Sequence, residues 1–490
     1  MNAVAAIIEW PEDAFEDYPF ALWTSAELAE ACGGVASGPF QVSGVEIDSR
    51  DVVEGDLFFA LKGETTDGHN FLEGAFAKGA AAAVVDRKIA GNHILVPDVN
   101  EALGKLAQAS RARTSSTSVI LGVTGSVGKT SVKEALYAAL DRASHGRAHR
   151  SVKSYNNHVG VPLSLARMPA GSHYGVFEMG MNHAGEIDAL TRQVRPHVAV
   201  ITTIAPAHIE NLGSEEAIAD AKAEIFRGLE PGGIAIIPAD SPHFARLRAA
   251  ALLVRAEVVS FGRADHADVR LLDAVPAPGG GSLVTIDMRG GPGEGRRLCY
   301  TVAAPGEHWV TNSLAIMAAV RAAGADLGAA GLALGELEGM KGRGARHELR
   351  VGDGGTALLI DESYNANPAS MAATLAQLGA TPATRRIAVL GAMKELGEHG
   401  AAFHAELAAP LRAAGVDQAI LVGDEMSALA DELGKSGMPS LGKAIPFAHC
   451  RDTTEAIAAL ADLGLASGDA ILVKGSNSVG LGKLVAALVG

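Results

Sequence analysis

The sequence has little cysteine, few aromatics and no excess of positive charge. Its three cysteines, Cys32, Cys299 and Cys450, are scattered over 490 residues. That is too sparse for a disulfide framework or a thiolate metal site, and it suits a reducing compartment. A formal net charge of -15 argues against nonspecific nucleic-acid binding, which depends on basic surface. It does not exclude an anionic small molecule, because charges are screened over about 8 Å and the local cations of a cleft decide what the cleft attracts. Long hydrophobic runs are also missing: Gly, Asp or Pro interrupts each apolar stretch, so no membrane span is expected. The opening MNAVAAIIEWPEDAFEDYPF is acidic where an export signal carries positive charge, which makes the cytoplasm the expected location.

What is present is an alanine- and glycine-rich chain, 48% hydrophobic and 20% charged, long enough for about three domains. The polar run RARTSSTS at 111–118 breaks the pattern and sets the first boundary. Residues 1–116 read as a small mixed α/β domain, with strands at 42–47, 56–61 and 82–85 and a helix at 71–78. From 117 to 345, apolar runs at 174–178, 198–202 and 234–237 alternate with helix-length segments, which predicts a mainly parallel sheet. The stretch GGGSLVTIDMRGGPGEGRRLC at 279–299 reads as a peripheral hairpin with a glycine-rich turn. Alternation restarts with strands at 357–361, 387–390, 419–422 and 470–473, so residues 346–490 form a Rossmann-like α/β domain without a phosphate loop of its own.

The segment VILGVTGSVGKTS, residues 119–131, carries the most chemistry. An apolar β-branched run delivers the backbone into Thr124, Gly125, Ser126, Val127, Gly128, Lys129, Thr130 and Ser131, and VKEALYAAL continues as a helix. The glycines let backbone N–H groups approach phosphate oxygens, Lys129 can pair with the β and γ phosphates, and the Thr130 hydroxyl can ligate Mg²⁺. The first glycine of the general G-x-x-x-x-G-K-[ST] pattern falls on Val123, so only the shorter T-G-x-x-G-K-T form fits.

In open α/β sheets ligands gather beyond the carboxyl ends of the strands. Glu178 ends one such strand and His208 follows another, which places both where a metal beside the loop would lie. Mg²⁺ prefers oxygen and keeps waters, so a histidine there leaves a second metal or a water-mediated role open. Singly, Glu178 could be a structural acceptor and His208 a loop residue. Lys222 in AKAEIF reads by itself as a solvated helical lysine, and the basic stretch 142–153 as a solvated loop or a local anion-attracting patch. In TALLIDESYNANP, Asp361, Tyr364, Asn365 and Asn367 lie at and beyond the end of the strand 357–361 and could grip a ribose or an adenine edge, or build an Asx turn.

The ordered set TGSVGKT, YNNHVGVP (155–162), FEMGMN (177–182), AHIENLGS (207–214), AKAEIF, PGEHWVTN (305–312), GRGAR (342–346) and DESYNANPASM (361–371) resembles the Mur ligases of peptidoglycan synthesis. The N-terminal DSR at 48–50, with GDLFFALKG and DGHNFLEGAFAKGA after it, is similar to the branch that adds a dipeptide. The resemblance implies three domains: 1–116 binding the UDP end of a substrate, 117–345 binding ATP, and 346–490 binding the amino substrate and closing over ATP. It implies ATP and Mg²⁺, with UDP-N-acetylmuramoyl-tripeptide and D-alanyl-D-alanine as substrates, no nucleic acid and a monomer. The peptide carboxylate would take the γ-phosphoryl of ATP, and the dipeptide amine would then displace phosphate from the acyl phosphate.

By motif position, Lys129, Lys222, Glu178 and His208 would be catalytic. Thr130, Glu178, His208 and a carbamylated Lys222 would hold metal. Asn312 with His308 would meet adenine, Arg343 and Asp361 the phosphates and ribose, and Ser49, Arg50 and Lys62 the uracil and diphosphate. Asn156, Asn157, Tyr364 and Asn365 would contact substrate. Two departures stand out: Trp309 replaces an amide of the usual HNxxN, and Asn477 replaces the arginine of a lysine-glycine-serine-arginine run. The rival readings are a related ligase using another amino acid or folate, and a nucleotide-binding protein that has lost ligation. Asn367-Pro368-Ala369 lacks the arginine of the diamino-acid branch, and folate ligases lack the DSR-bearing domain.

Overall fold

Strands that are buried on both faces read as continuous apolar runs, and such runs build the centre of each sheet in the computed structural model. The structure describes residues 21–490 except 64, 207–208, 279, 290–294, 338, 353 and 436–443. Contacts divide the chain into two compact units, one of residues up to 116 with 162–172, the other of 117–161 and 173–490.

In the first unit five strands lie in the order Val35–Ala36, His93–Leu95, Ala82–Val85, Asp56–Phe59, Gly44–Glu46. All pairs are parallel except the first. The single strand expected at 42–47 is divided. Gln41–Val42 pairs with Trp23–Thr24 in a separate ribbon, while Gly44–Glu46 joins the sheet. The second of these strands starts at a glycine because a Cβ on Gly44 would lie 2.1 Å from Asp56 Oδ1. The helix Val99–Ala112 starts at Asp98, whose side chain accepts from Glu101 N, and it ends inside the polar run 111–118. Residues 162–172 belong here: Trp23 Nε1 donates to Ala166 O at 2.9 Å, and Arg167 pairs with Glu46 at 2.6 Å.

The second unit holds two sheets. The larger has nine strands, in the order Arg296–Val302, Ser282–Met288, Val269–Pro276, Glu257–Gly262, Ile234–Pro238, Val198–Ile201, Val119–Thr124, Tyr174–Glu178, Ala148–Arg150. It is parallel from Val269–Pro276 onward, and the first two strands form an antiparallel hairpin. That hairpin is less peripheral than its glycines suggest, because Val284, Ile286, Tyr300 and Val302 are buried in the main core with the helix Glu307–Ala322. Val119–Thr124 lies between strands that follow it on opposite sides, which makes its carboxyl end the switch point of the sheet.

The smaller sheet runs Ala345–Arg350, Thr356–Glu362, Asp469–Lys474, Arg385–Gly391, Gln418–Val422, Phe447–Cys450. Only its first pair is antiparallel, and separate cores cover its faces. The fold is therefore α/β with mainly parallel sheets. Among the described residues no helix is long and apolar enough to cross a membrane.

Candidate active site

The switch-point strand Val119–Thr124 is followed by a loop that is shaped before any ligand arrives. Gly125 has φ 151° and Gly128 φ 86°. A Cβ would lie 1.9 Å from Thr202 Oγ1 at the first, and 3.1 Å from the Asn312 amide at the second. Thr202 Oγ1 donates to Val127 O at 2.5 Å and Ser126 N to Thr203 O at 2.8 Å, so the end of the neighbouring strand clamps the loop. The Ser126 hydroxyl is occupied with the backbone of Ala205, and Thr124 is fully buried. Lys129 Nζ donates to Gly125 O at 2.9 Å. No side chain caps the helix Lys129–Ala143, which leaves its first N–H groups and its dipole to an anion.

Around the loop lies a polar cluster. Thr130 Oγ1 donates to Glu178 Oε2 at 2.8 Å, Asn156 Nδ2 donates to Glu178 Oε1 at 2.7 Å, and Glu178 N donates to Ser151 Oγ at 2.9 Å. Glu178 is 1% exposed, and so is Lys222. The solvated reading of Lys222 is thereby corrected. Its helix, Glu215–Ala223, turns that position inward, and the Lys222 side-chain amine makes no hydrogen bond or ion pair among the described residues. Burial pushes its ammonium well below the usual lysine range, and the charge of Lys129 adds to the effect. Burial lowers Lys129 as well, with Glu178 opposing the shift.

A cavity of about 490 Å³ opens over the loop. One wall is Ser126 to Ser131 with Asn156, Glu178 and Lys222; another is His308, Trp309 and Asn312 on the helix Glu307–Ala322; a third is Arg343, Glu362, Tyr364, Asn365 and Lys474 from the smaller sheet. The Asn312 amide makes no hydrogen bond among the described residues. Burial, then Lys474, pulls the His308 imidazole down to about 4. Trp309 is 4% exposed and packs in the main core, so the indole that replaces an amide serves as filling. Arg343 lies 4.2 Å from the centre of the Tyr364 ring and donates to Ser154 Oγ at 3.3 Å.

Other expected residues lie elsewhere. Asp361 is 1% exposed and outside the cavity lining. Its oxygens accept from Gly342 N at 2.7 Å and from Ser363 N and Oγ, so it ties the turn before Arg343 to its own strand. Asn157 accepts from Val159 N and Gly160 N and caps the start of a helix. Ser49, Arg50 and Lys62 are in the first unit, where Arg50 pairs with Asp48 at 2.6 Å and Lys62 with Asp86. His208 lies outside the described residues. Asn477 is absent from this lining and faces a second cavity beside Lys153, Lys341 and Arg343.

Three contributors escaped the sequence reading. Lys133, fully buried, donates to the carbonyls of Ser151 and Lys153 at 3.2 and 2.6 Å and thus holds the strand end that supports Glu178. Its position one helical turn after Lys129 was the available signal. The buried Lys474 and the partly buried Glu362 pair at 3.5 Å across two neighbouring strands, and no local pattern announces that pairing. Among the described residues no cluster of three His, Cys, Asp or Glu side chains could hold a metal. The hard oxygens of Thr130 and Glu178 at the cavity edge fit Mg²⁺, which commonly takes one or two protein oxygens and completes its shell with phosphate and water.

The middle domain of Mur ligases matches residues 123–320, the Mur ligase glutamate ligase domain matches 345–477, and the Mur ligase catalytic domain matches 41–111. A UDP-N-acetylmuramoyl-tripeptide–D-alanyl-D-alanine ligase of Synechocystis sp. is 34% identical over 458 residues, covering 92% of this chain and 93% of the relative. The crystal structure of MurF from Acinetobacter baumannii superposes with a TM-score of 0.78 at 30% identity, covering 95% of this chain and 98% of that one. MurF from Thermotoga maritima in complex with ADP gives a TM-score of 0.71 at 27% identity, covering 91% and 96%. Likeness of this extent, in a chain whose phosphate loop and two sheets enclose one cavity, has a single meaning: this chain belongs to the Mur ligase family.

Proposed function

We propose that this chain is an ATP-dependent, ADP-forming ligase that joins D-alanyl-D-alanine to UDP-N-acetylmuramoyl-tripeptide through an acyl phosphate, yielding the UDP-N-acetylmuramoyl-pentapeptide. One observation carries the reading: a phosphate loop and a carboxylate-bearing wall from a second sheet face the same cavity of about 490 Å³. Phosphoryl donor and amine acceptor can meet there. The names of the relatives support the choice of substrates, and the ADP complex of the Thermotoga maritima protein supports the nucleotide.

A free carboxylate is a poor electrophile, so it must first exchange an oxygen for a better leaving group. For phosphoryl transfer the protein contributes mostly position and charge. Lys129 and the first N–H groups of the helix Lys129–Ala143 would hold the β and γ phosphates. Asn312 would offer its unused amide to adenine beside His308, and Arg343 would reach the phosphates. Thr130 and Glu178 would hold Mg²⁺, which when bound offsets charge on the phosphoryl oxygens. His208 and a carbamate on Lys222 would complete a second metal site; the buried amine of Lys222, without a partner among the described residues, suits that modification, since an ammonium would repel the ion.

The division 1–116, 117–345 and 346–490 follows the same reading, with the UDP end at Ser49, Arg50 and Lys62 and the amino substrate on the last sheet. Asn156, Tyr364 and Asn365, which line the cavity, would contact substrate. A cytoplasmic monomer is the matching state. The test is ADP release in the presence of UDP-N-acetylmuramoyl-tripeptide and ATP. Release that demands D-alanyl-D-alanine supports the proposal, whereas release stimulated by a single amino acid, or none with any dipeptide, defeats it.

A further inference from the structure

We propose that Glu362 receives the acceptor: its carboxylate binds the ammonium group of the incoming dipeptide and removes a proton from it as the nitrogen attacks the acyl phosphate. This rests on the ligase reading above and names a residue for its second half.

The cavity's charge inventory points to this residue. Its lining contains the cations Lys129, Arg343 and Lys474 beside the amine of Lys222, but only two carboxylates among the described residues, Glu178 and Glu362. Such a surplus favours nucleotide and peptide carboxylate, and an ammonium has few places to settle. Glu178 is committed to the phosphate side of the cavity: it is bonded to Thr130 through one oxygen and to Asn156 through the other, and it is the proposed Mg²⁺ ligand. Glu362 is not. Lys474 approaches its Oε2 at 3.5 Å, and its Oε1 has no hydrogen-bond partner among the described residues. A carboxylate has about four acceptor sites, so room remains for an ammonium beside Lys474. That lysine is itself tethered to Asn365 O at 3.0 Å, which fixes the pair on the wall facing the phosphate loop.

The groups around Glu362 are Lys474 on the adjacent strand, Arg343 on the preceding turn and Asp361 on its own strand. Burial raises its carboxyl above the usual range and outweighs the two cations, while Asp361 adds to the rise. A base of raised pKa holds a proton longer and transfers it more readily at neutral pH. The need is real: with an α-amino pKa of about 8, roughly nine in ten acceptor molecules are ammonium at pH 7 and have no lone pair.

The step balances as follows. The ammonium gives one proton to a Glu362 oxygen, its nitrogen lone pair forms the C–N bond to the acyl carbon, and the tetrahedral intermediate breaks its C–O bond to the phosphoryl group. The departing phosphate takes the second nitrogen proton, and Glu362 returns the first to water.

The experiment compares two acceptors in the full-length enzyme supplied with ATP and UDP-N-acetylmuramoyl-tripeptide. Hydroxylamine is largely unprotonated at neutral pH and traps the acyl phosphate as a hydroxamate without a base. D-alanyl-D-alanine needs one. Glu362→Gln should cut amide formation about 10²-fold, a usual span for general base catalysis, and hydroxamate formation far less, lowering the ratio of the two products at least tenfold. The amide deficit should shrink as pH rises past that of the free amine, and Glu362→Asp should recover part of the ratio. Parallel loss of both products, or an unchanged ratio, overturns the proposal. A wild-type enzyme that forms hydroxamate but no dipeptide amide instead overturns the acceptor in the ligase reading, and the role of Glu362 with it.

Discussion

Lys133 donates from a fully buried ammonium to the carbonyl oxygen of Ser151 at 3.2 Å, and Ser151 in turn accepts from the backbone N–H of Glu178. The helix that begins at the phosphate loop is thus tied to the strand that presents the candidate metal ligand. Replacing Lys133 by Met fills the space but removes the donor to the carbonyls of Ser151 and Lys153 and the ion pair with Glu134. A hydrogen bond from a charged group contributes about 1.5–3 kcal/mol. Lys133→Met should therefore lose stability of that order in urea unfolding, and its kcat should fall because Glu178 loses support. A variant with unchanged stability would show that the ammonium anchors nothing.

Two glycines with left-handed backbones separate conformational strain from crowding. Gly125 and Gly146 both have positive φ, 151° and 82°, and alanine is strained at either by about 1–2 kcal/mol. At Gly146 a Cβ meets nothing within 4 Å, whereas at Gly125 it would lie 1.9 Å from Thr202 Oγ1. Gly146→Ala should cost only the strain and keep nucleotide binding. Gly125→Ala must displace Thr202, which clamps Val127, so calorimetry should find nucleotide affinity lost. Equal behaviour of the two variants would mean that the clamp does not shape the loop.

Much of this was legible because it is local. The strand Val119–Thr124, its glycines and its helix are contiguous, and so are the buried strands Tyr174–Glu178 and Asp469–Lys474, whose apolar runs mark them. Ala345–Arg350 was missed because its residues, ARHELR, are mostly polar on an edge, and Phe447–Cys450 because it is short. The burial of Lys222 depends on which side of its helix meets the sheet, a matter of tertiary packing. Glu362 and Lys474 are 112 residues apart in the chain and adjacent only through strand order. Asp361 looked like a ligand contact because a carboxylate at a strand end often is one, yet here its oxygens are consumed by the turn at Gly342 and by Ser363.

His308 makes stability depend on acid pH. Its folded value of about 4 lies below the ordinary 6.5, so between these values the unfolded chain binds more protons and stability falls as pH drops through the window. Glu362, raised by burial, acts in the opposite sense above its ordinary value of 4.5, so the wild-type profile mixes both. The difference between wild type and His308→Gln isolates the imidazole. The variant should lose about 2 kcal/mol less than wild type from pH 6.5 to 4, read as a smaller drop in Tm. Parallel Tm profiles would place the imidazole in water.

Arg343 joins the two sheets through contacts of different kinds, a cation–π contact over the Tyr364 ring and a hydrogen bond to Ser154. Lysine keeps the charge but cannot stack as a plane or donate in a fixed fork. If charge alone held phosphate, Arg343→Lys would raise the KM for ATP slightly and spare kcat. If the arginine must be fixed while the phosphoryl group moves, kcat should fall tenfold or more with a smaller change in KM. The position of the guanidinium over the Tyr364 ring favours the second outcome. Tyr364→Phe retains the ring face and should leave the kinetics close to wild type, whereas Tyr364→Ala should lose about 0.5–1 kcal/mol of the interaction and reproduce part of the Arg343→Lys effect. Combining Tyr364→Ala with Arg343→Lys should then cost less than the sum of the separate losses, since both remove the same contact; strict additivity would show that Arg343 acts without Tyr364.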